Sequence, residues 1–181
     1  QQNLKRDFKF KTARSSLVYI KQWCTMLSKN KLLDKFSEDR SNNLEIEIAE
    51  IHDATMFIYG HWLEILLRSK LASLLHKNLD RLESFDLLSQ VVILKPDGTN
   101  SELDLLLMIN ERVYWFECKS GVIKDYFEKF KEHKNLLKLP PEQSFVVVPE
   151  KDPNIAIHVR KRSEMTCLNS TELELQLEQH I

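Results

Sequence analysis

The chain has 181 residues, 43% of them hydrophobic, and a formal net charge of −1. That is enough for one core with a small helical extension, and the net charge is by itself no nucleic-acid signature. No apolar run is long enough to span a bilayer and no secretory signal is apparent, so membrane-spanning and secreted proteins are set aside. Cys24, Cys118 and Cys167 lack any CxxC spacing, which argues against a zinc site and for a reducing cytoplasm.

The sequence opens on Gln1-Gln2 without an initiator methionine, as expected of a piece of something longer. Residues 1–35 hold nine Lys or Arg against two Asp, whereas 164–181 hold four Glu and no Lys or Arg, a spread compatible with one basic face. Periodic Leu17, Val18, Ile20, Trp23, Met26, Leu27 and Leu32 predict a helix over 13–36. Ser37–Asn43 reads as a polar linker, so the expected organisation is an N-terminal helical segment, 1–43, and a core domain, 44–181. Leu44–Glu50 is expected to start the core helix. A second helix is expected from about Asp53 to His76, apolar nearly all round and so packed on several sides.

Strands follow at 85–94, 101–109 and 112–119, then a helix over 123–139 ended by Pro140-Pro141. Ser144–Val148 predicts a buried strand, and Asp152-Pro153 caps a helix to Arg162. Glu164–Leu168 predicts a last strand, and Ser170-Thr171 opens a terminal helix. The order αβββαβαβα is that of an α/β protein, a mixed β-sheet flanked by helices.

Asn110-Glu111 separates the two middle strands, and Asn tolerates the positive φ of a tight hairpin turn. With Ile109 facing Arg112, Asp104 falls opposite Glu117 and Glu102 opposite Lys119, all projecting from one face. Opposed Cβ atoms stand roughly 4.5–5.5 Å apart, within reach of a shared divalent cation. Charges at i and i+2 on a strand are ordinarily a solvated face. Here Leu105, Leu106, Leu107, Trp115 and Phe116 predict burial nearby, and buried carboxylates need a cation or many hydrogen bonds.

Glu64, in the most apolar part of the second helix, follows Gly60 by one turn, and His61 sits three residues before it. A mid-helix glycine costs about 1 kcal/mol against alanine, and close approach of the strand carrying Asp104 would explain it. Cys118 points away from its charged neighbours and reads as a small buried apolar residue.

Gly60-His61-Trp62-Leu63-Glu64, Asn100-Ser101-Glu102-Leu103-Asp104 and Glu117-Cys118-Lys119-Ser120 together resemble the PD-(D/E)XK nuclease superfamily, with its restriction-endonuclease-like fold. More narrowly they are similar to the nuclease domains of CRISPR ancillary proteins that carry a CARF ligand-sensing domain. The resemblance implies an αβββαβ core with an αβα-type C-terminal extension. Asp104, Glu117 and the Cys118 backbone carbonyl would hold Mg2+ or Mn2+, Lys119 would orient water or stabilise phosphate charge, and Glu64 would support metal or water. Glu102 and His61 are accessory candidates, and Lys124 and Lys131 candidate contacts to DNA or RNA. Pro96-Asp97 is rejected as the motif's literal Pro-Asp because Pro96-Asp97-Gly98-Thr99 is turn chemistry.

The expected function is a cytoplasmic, metal-dependent endonuclease of DNA or RNA, in CRISPR or other antiviral defence. No CARF-like domain is visible, so the expected partners are nucleic acid, a second copy of the chain, and a sensor domain or partner carried elsewhere. The rival expectation is a catalytically silent domain of the same fold that binds nucleic acid or protein; a third is another metal-dependent phosphate hydrolase.

Overall fold

In the first fifty residues helical periodicity competes with strand alternation, and tertiary pairing decides. The computed structural model describes residues 5–8, 14–38, 44–49, 56–150 and 152–178, and the chain divides into two units, 1–59 and 60–181. In the first unit, helix α1 (Arg14–Lys29) stops where the Asn30 side-chain amide donates to the Met26 carbonyl at 2.8 Å and Lys31 turns to φ 59°. Strand β2 (Leu33–Glu38) follows and pairs antiparallel with β3 (Leu44–Ile48), whose other edge takes β1 (Lys5–Phe8). The helix expected over 13–36 is therefore shorter, and the expected start of the core helix at 44–50 is a strand. Leu33 and Ile46 alternate inward and close a small core with Cys24 and Leu27, a burial that helical continuation would forfeit. The polar stretch ending at Asn43 joins two strands of one sheet, its residues 39–43 lying outside those described.

The second unit realises the order αβββαβαβα. Helix α2 (Trp62–Lys77) leads to β4 (Phe85–Leu94), β5 (Asn100–Ile109) and β6 (Arg112–Cys118), antiparallel neighbours in that order. Helix α3 (Phe127–Leu137) crosses to β7 (Ser144–Val148) and α4 (Pro153–Ser163) to β8 (Thr166–Asn169), both parallel additions. Helix α5 (Ser170–Glu178) closes the chain. The result is one five-stranded mixed sheet, β4-β5-β6-β7-β8, flanked by helices.

One face buries Leu63, Leu67 and Leu71 of α2 and Leu173 and Leu177 of α5 against Leu105, Phe116 and Phe145. The other buries Phe127 and Phe130 of α3 and Val159 of α4 against Trp115, Val146 and Val148. All five residues of β7 are buried, as in a parallel strand covered on both sides. Asp152 caps α4 by accepting from the Asn154 N–H at 2.7 Å. At α5 the cap is Asn169 rather than Ser170: its side chain accepts from the N–H groups of Thr171 and Glu172, and Glu172 answers by accepting from the Asn169 N–H. Among the described residues no helix is long and apolar enough to cross a membrane.

Candidate active site

The hairpin turn fixes the register. Asn110 and Glu111 both take positive φ, 45° and 69°, and the Asn110 carboxamide accepts from the Glu83 N–H at 2.9 Å. Ile109 then pairs with Arg112, and the ladder runs in the expected register to Leu105 opposite Phe116. There it stops. The next strand N–H, that of Cys118, donates to the Asp104 carboxylate at 2.7 Å instead of to a carbonyl. Opposite, on β4, Ser89 pairs with Leu105 and Val91 with Leu103, but the rung between, Gln90 with Asp104, is missing, and Gln90 stands at φ 54°.

This kink changes which way the strand faces. Leu105 belongs to the α2-side core, whereas Leu103, two residues earlier, belongs to the α3-side core. Simple alternation is thereby broken at Asp104. Glu102 pairs with Val92 and is exposed, so the expected Glu102–Lys119 pair does not form as drawn from alternation. The ion pairs of Lys119 run instead to Glu117, 3.4 Å, and Asp104, 3.9 Å.

Asp104, Glu117, Lys119 and Glu64 are brought together. Glu117 is 1% exposed, and neither of its carboxylate oxygens has a hydrogen-bond partner. Burial, and then the Asp104 charge, push its pKa up to about 8 in spite of Lys119. For Lys119 burial pulls the other way, but the two carboxylates outweigh it and the net shift is upward. Its ammonium also lies 4.9 Å from the Tyr126 ring centroid and 5.9 Å from that of Phe130, so aromatic faces hold it from behind. Burial raises the Cys118 thiol as well, with Asp104 adding to it, which keeps it an inert core group as expected.

Glu64 enters from α2. Its carboxylate meets His61 Nδ1 at 2.9 Å, the two being partly buried, and its pKa is raised by burial first and the Asp104 charge second. The partner of the Glu64 carboxylate is thus the His61 ring, one turn earlier. Gly60 is not the mid-helix residue expected: residues 50–55 lie outside those described, and Phe57–His61 is a π-type turn broken at Gly60, φ 147° and ψ −20°. A Cβ there would lie 3.0 Å from Ser120 Oγ, so the close approach that glycine permits is to the residue after Lys119.

The candidate contacts Lys124 and Lys131, and the rejected Asp97, lie outside this cluster. Asp97 accepts from the Thr99 N–H and hydroxyl at 2.9 and 2.6 Å in the turn between β4 and β5. Lys131 stands 4.0 Å from Glu164, while Lys124 is exposed in the 3₁₀ turn before α3. Sequence reasoning did not single out the Cys118 N–H, Tyr126 or Phe130. The i,i+4 spacing of the two rings is by itself the signal of an apolar helix face.

Hard oxygen donors suit Mg2+ or Mn2+. The buried Glu117 oxygens beside Asp104, which accept no hydrogen bond and face only the Lys119 ammonium, fit such a cation, which would supply what the hydrogen bonds do not. Among the described residues no three His, Cys, Asp or Glu side chains form a metal-sized group, so a cation there would need backbone oxygen or water beside the two carboxylates.

Fold and site thus define an α/β domain with a mixed sheet and a carboxylate–lysine cluster at its β5–β6 hairpin. No family model matches the chain, and no curated protein does. Solved structures do share the fold. Protein VC1899 from Vibrio cholerae aligns at 18% identity and TM-score 0.59 over 97% of this chain and 45% of its own. Can2 from Sulfobacillus thermosulfidooxidans, in complex with cyclic tetra-adenylate, aligns at 18% identity and TM-score 0.62 over 95% of this chain and 46% of its own. The chain therefore spans just under half the length of each, and the likeness is one of fold.

Proposed function

We propose that this chain carries a divalent-metal-dependent nuclease centre acting on phosphodiester bonds of DNA or RNA, in CRISPR-related or other antiviral defence. The observation that carries the reading is Glu117: a nearly inaccessible carboxylate whose oxygens accept no hydrogen bond, beside Asp104 and with one ion pair, to Lys119. Asp104 and Glu117, with the Cys118 carbonyl, would hold Mg2+ or Mn2+. The ion, when bound, supplies Lewis acidity toward a phosphate oxygen and an attacking water. Lys119, fixed by two carboxylates and two rings, presents its positive charge where a phosphorane-like transition state gathers negative charge. Glu64, with its raised pKa and its bond to His61, orients water on the opposite wall.

The cyclic tetra-adenylate bound to Can2 fits a place for this fold in ligand-controlled defence, with sensing by a portion or partner outside the residues of the cluster. Pairing of two chains is part of the same proposal. A catalytically silent domain gains from the lack, among the described residues, of a three-side-chain metal group, and it predicts binding without cleavage. The deciding experiment is cleavage of single- and double-stranded DNA and RNA with magnesium, manganese or chelator. Metal-dependent cleavage lost in Asp104→Ala supports the nuclease, and binding without cleavage under every metal condition supports the silent domain.

A further inference from the structure

A concave feature is lined by residues that follow Lys119 closely in the chain. Between the 3₁₀ turn at 124–126 and α4 is a cleft of about 550 Å³ with an apolar floor of Ile123, Phe127 and Ile155. Its rim carries Lys124, His158 and Arg162, with one opposing carboxylate, Asp125. His158 and Arg162 are i,i+4 neighbours on α4, and all three basic residues are exposed. Among the described residues none of the three is engaged in an ion pair, whereas Lys131 and Lys134 nearby are both paired with Glu164. The volume is that of a nucleotide-sized ligand site, apolar with a few placed charges.

Position ties this cleft to the cluster. Only three residues separate Lys119 from Ile123, at most about 14 Å of extended chain. Tyr126, whose ring backs the Lys119 ammonium, belongs to the same 3₁₀ turn as Lys124 and Asp125. That bound corresponds to no more than about four steps of the 3.4 Å rise of one nucleic-acid strand. We infer that this cleft seats the single-stranded nucleic-acid segment flanking the cleaved phosphodiester, with Lys124 and Arg162 on its phosphates and a base against Ile123, Phe127 and Ile155. The inference rests on the nuclease reading of the neighbouring cluster, and it adds His158 and Arg162 to the residues that meet substrate. Asp125 repels phosphate from one side of the rim, so the strand's backbone is held toward α4. The plain alternative for Arg162 is compensation of the α4 dipole from its last turn, alongside Arg160 and Lys161. That role would affect stability and leave nucleic-acid binding alone.

The test is fluorescence anisotropy of labelled single-stranded oligonucleotides with the full chain in chelator, titrated with salt, for wild type, Lys124→Ser, Arg162→Ser and the double variant. Each lost phosphate contact should lower the slope of log affinity against log salt by about 0.7. The double variant should bind several-fold more weakly at low salt while keeping its melting temperature and its manganese-induced thermal shift. Shortening the oligonucleotide on one side of the cleavage point should weaken wild type and leave the double variant unaffected. A double variant with the wild-type salt slope overturns the cleft, and if wild type still cleaves, the nuclease reading survives it. A wild-type protein that binds through Lys124 and Arg162 but never cleaves keeps the cleft and removes the nuclease. No affinity of wild type for any oligonucleotide overturns the cleft, and no cleavage with magnesium or manganese besides overturns both.

Discussion

Glu117→Gln should make the metal-free protein more stable and deprive it of its response to metal. The wild-type carboxyl, ordinarily near 4.5, is pushed up to about 8 by burial and by Asp104. Between those values the folded state keeps a proton that the unfolded state has released, so stability falls as pH rises through that window. At pH 7 the penalty is about 3 kcal/mol, at roughly 1.4 kcal/mol for each pH unit above 4.5. Glutamine carries no such penalty, and its buried amide resembles the protonated carboxyl it replaces. A stabilisation of order 1–3 kcal/mol would raise the melting temperature by several degrees in a chain of this size. Thermal melts in chelator at pH 4.5, 7 and 8.5 read the effect: the variant should lead at pH 7 and 8.5 and converge with wild type near pH 4.5. Adding manganese should reverse the order at pH 7. A ligand at a hundredfold excess over its dissociation constant stabilises the folded state by about 2.7 kcal/mol, and only wild type offers the ionised Glu117. A variant melting at or below wild type in chelator at pH 7, or one that keeps the manganese shift, would refute the reasoning.

Lys119→Ala should retain most of the manganese-induced shift yet lower cleavage by roughly 10²–10³-fold, the scale for losing one transition-state charge partner; unchanged single-turnover rates would remove Lys119 from the chemistry. Glu64→Gln should reduce the cleavage rate without lowering the melting temperature, because the substitution relieves repulsion from Asp104; equal rates and equal manganese midpoints in the two proteins would leave α2 as scaffold. Gly60→Ala should destabilise by about 1–3 kcal/mol, since φ 147° is costly for any L side chain. Adding Ser120→Gly should recover only part of the loss, because it removes the 3.0 Å contact and not the backbone strain; full recovery in chemical denaturation would assign the cost to the contact alone. Below pH 6.5 the buried His133, lowered to about 4 mainly by burial, should take stability away as pH falls, the unfolded state then binding the extra proton. His133→Gln should flatten that limb of the pH–stability curve between pH 4 and 6.5.

Much of the second unit was legible because its signals are local. Asn110-Glu111 fixes the hairpin register, Asp152-Pro153 starts α4, and the apolar run Phe145–Val148 can only be a covered strand. From those alone the order αβββαβαβα and the nearness of Asp104, Glu117 and Lys119 follow. Only the tertiary structure decided what lay beyond alternation. The missing Gln90–Asp104 rung turns β5 over, which puts Glu102 in solvent and leaves Asp104 to take the Cys118 N–H. Residues 33–38 and 44–48 became strands because each found the other, a pairing partner that no helical period within either segment can register. The aromatic backing of Lys119 comes from a turn and helix packed behind it, after the chain has left the hairpin. Sequence period reports the face a residue presents to its own element. Which element arrives at that face, and where a kink resets the period, depends on contacts made across the fold.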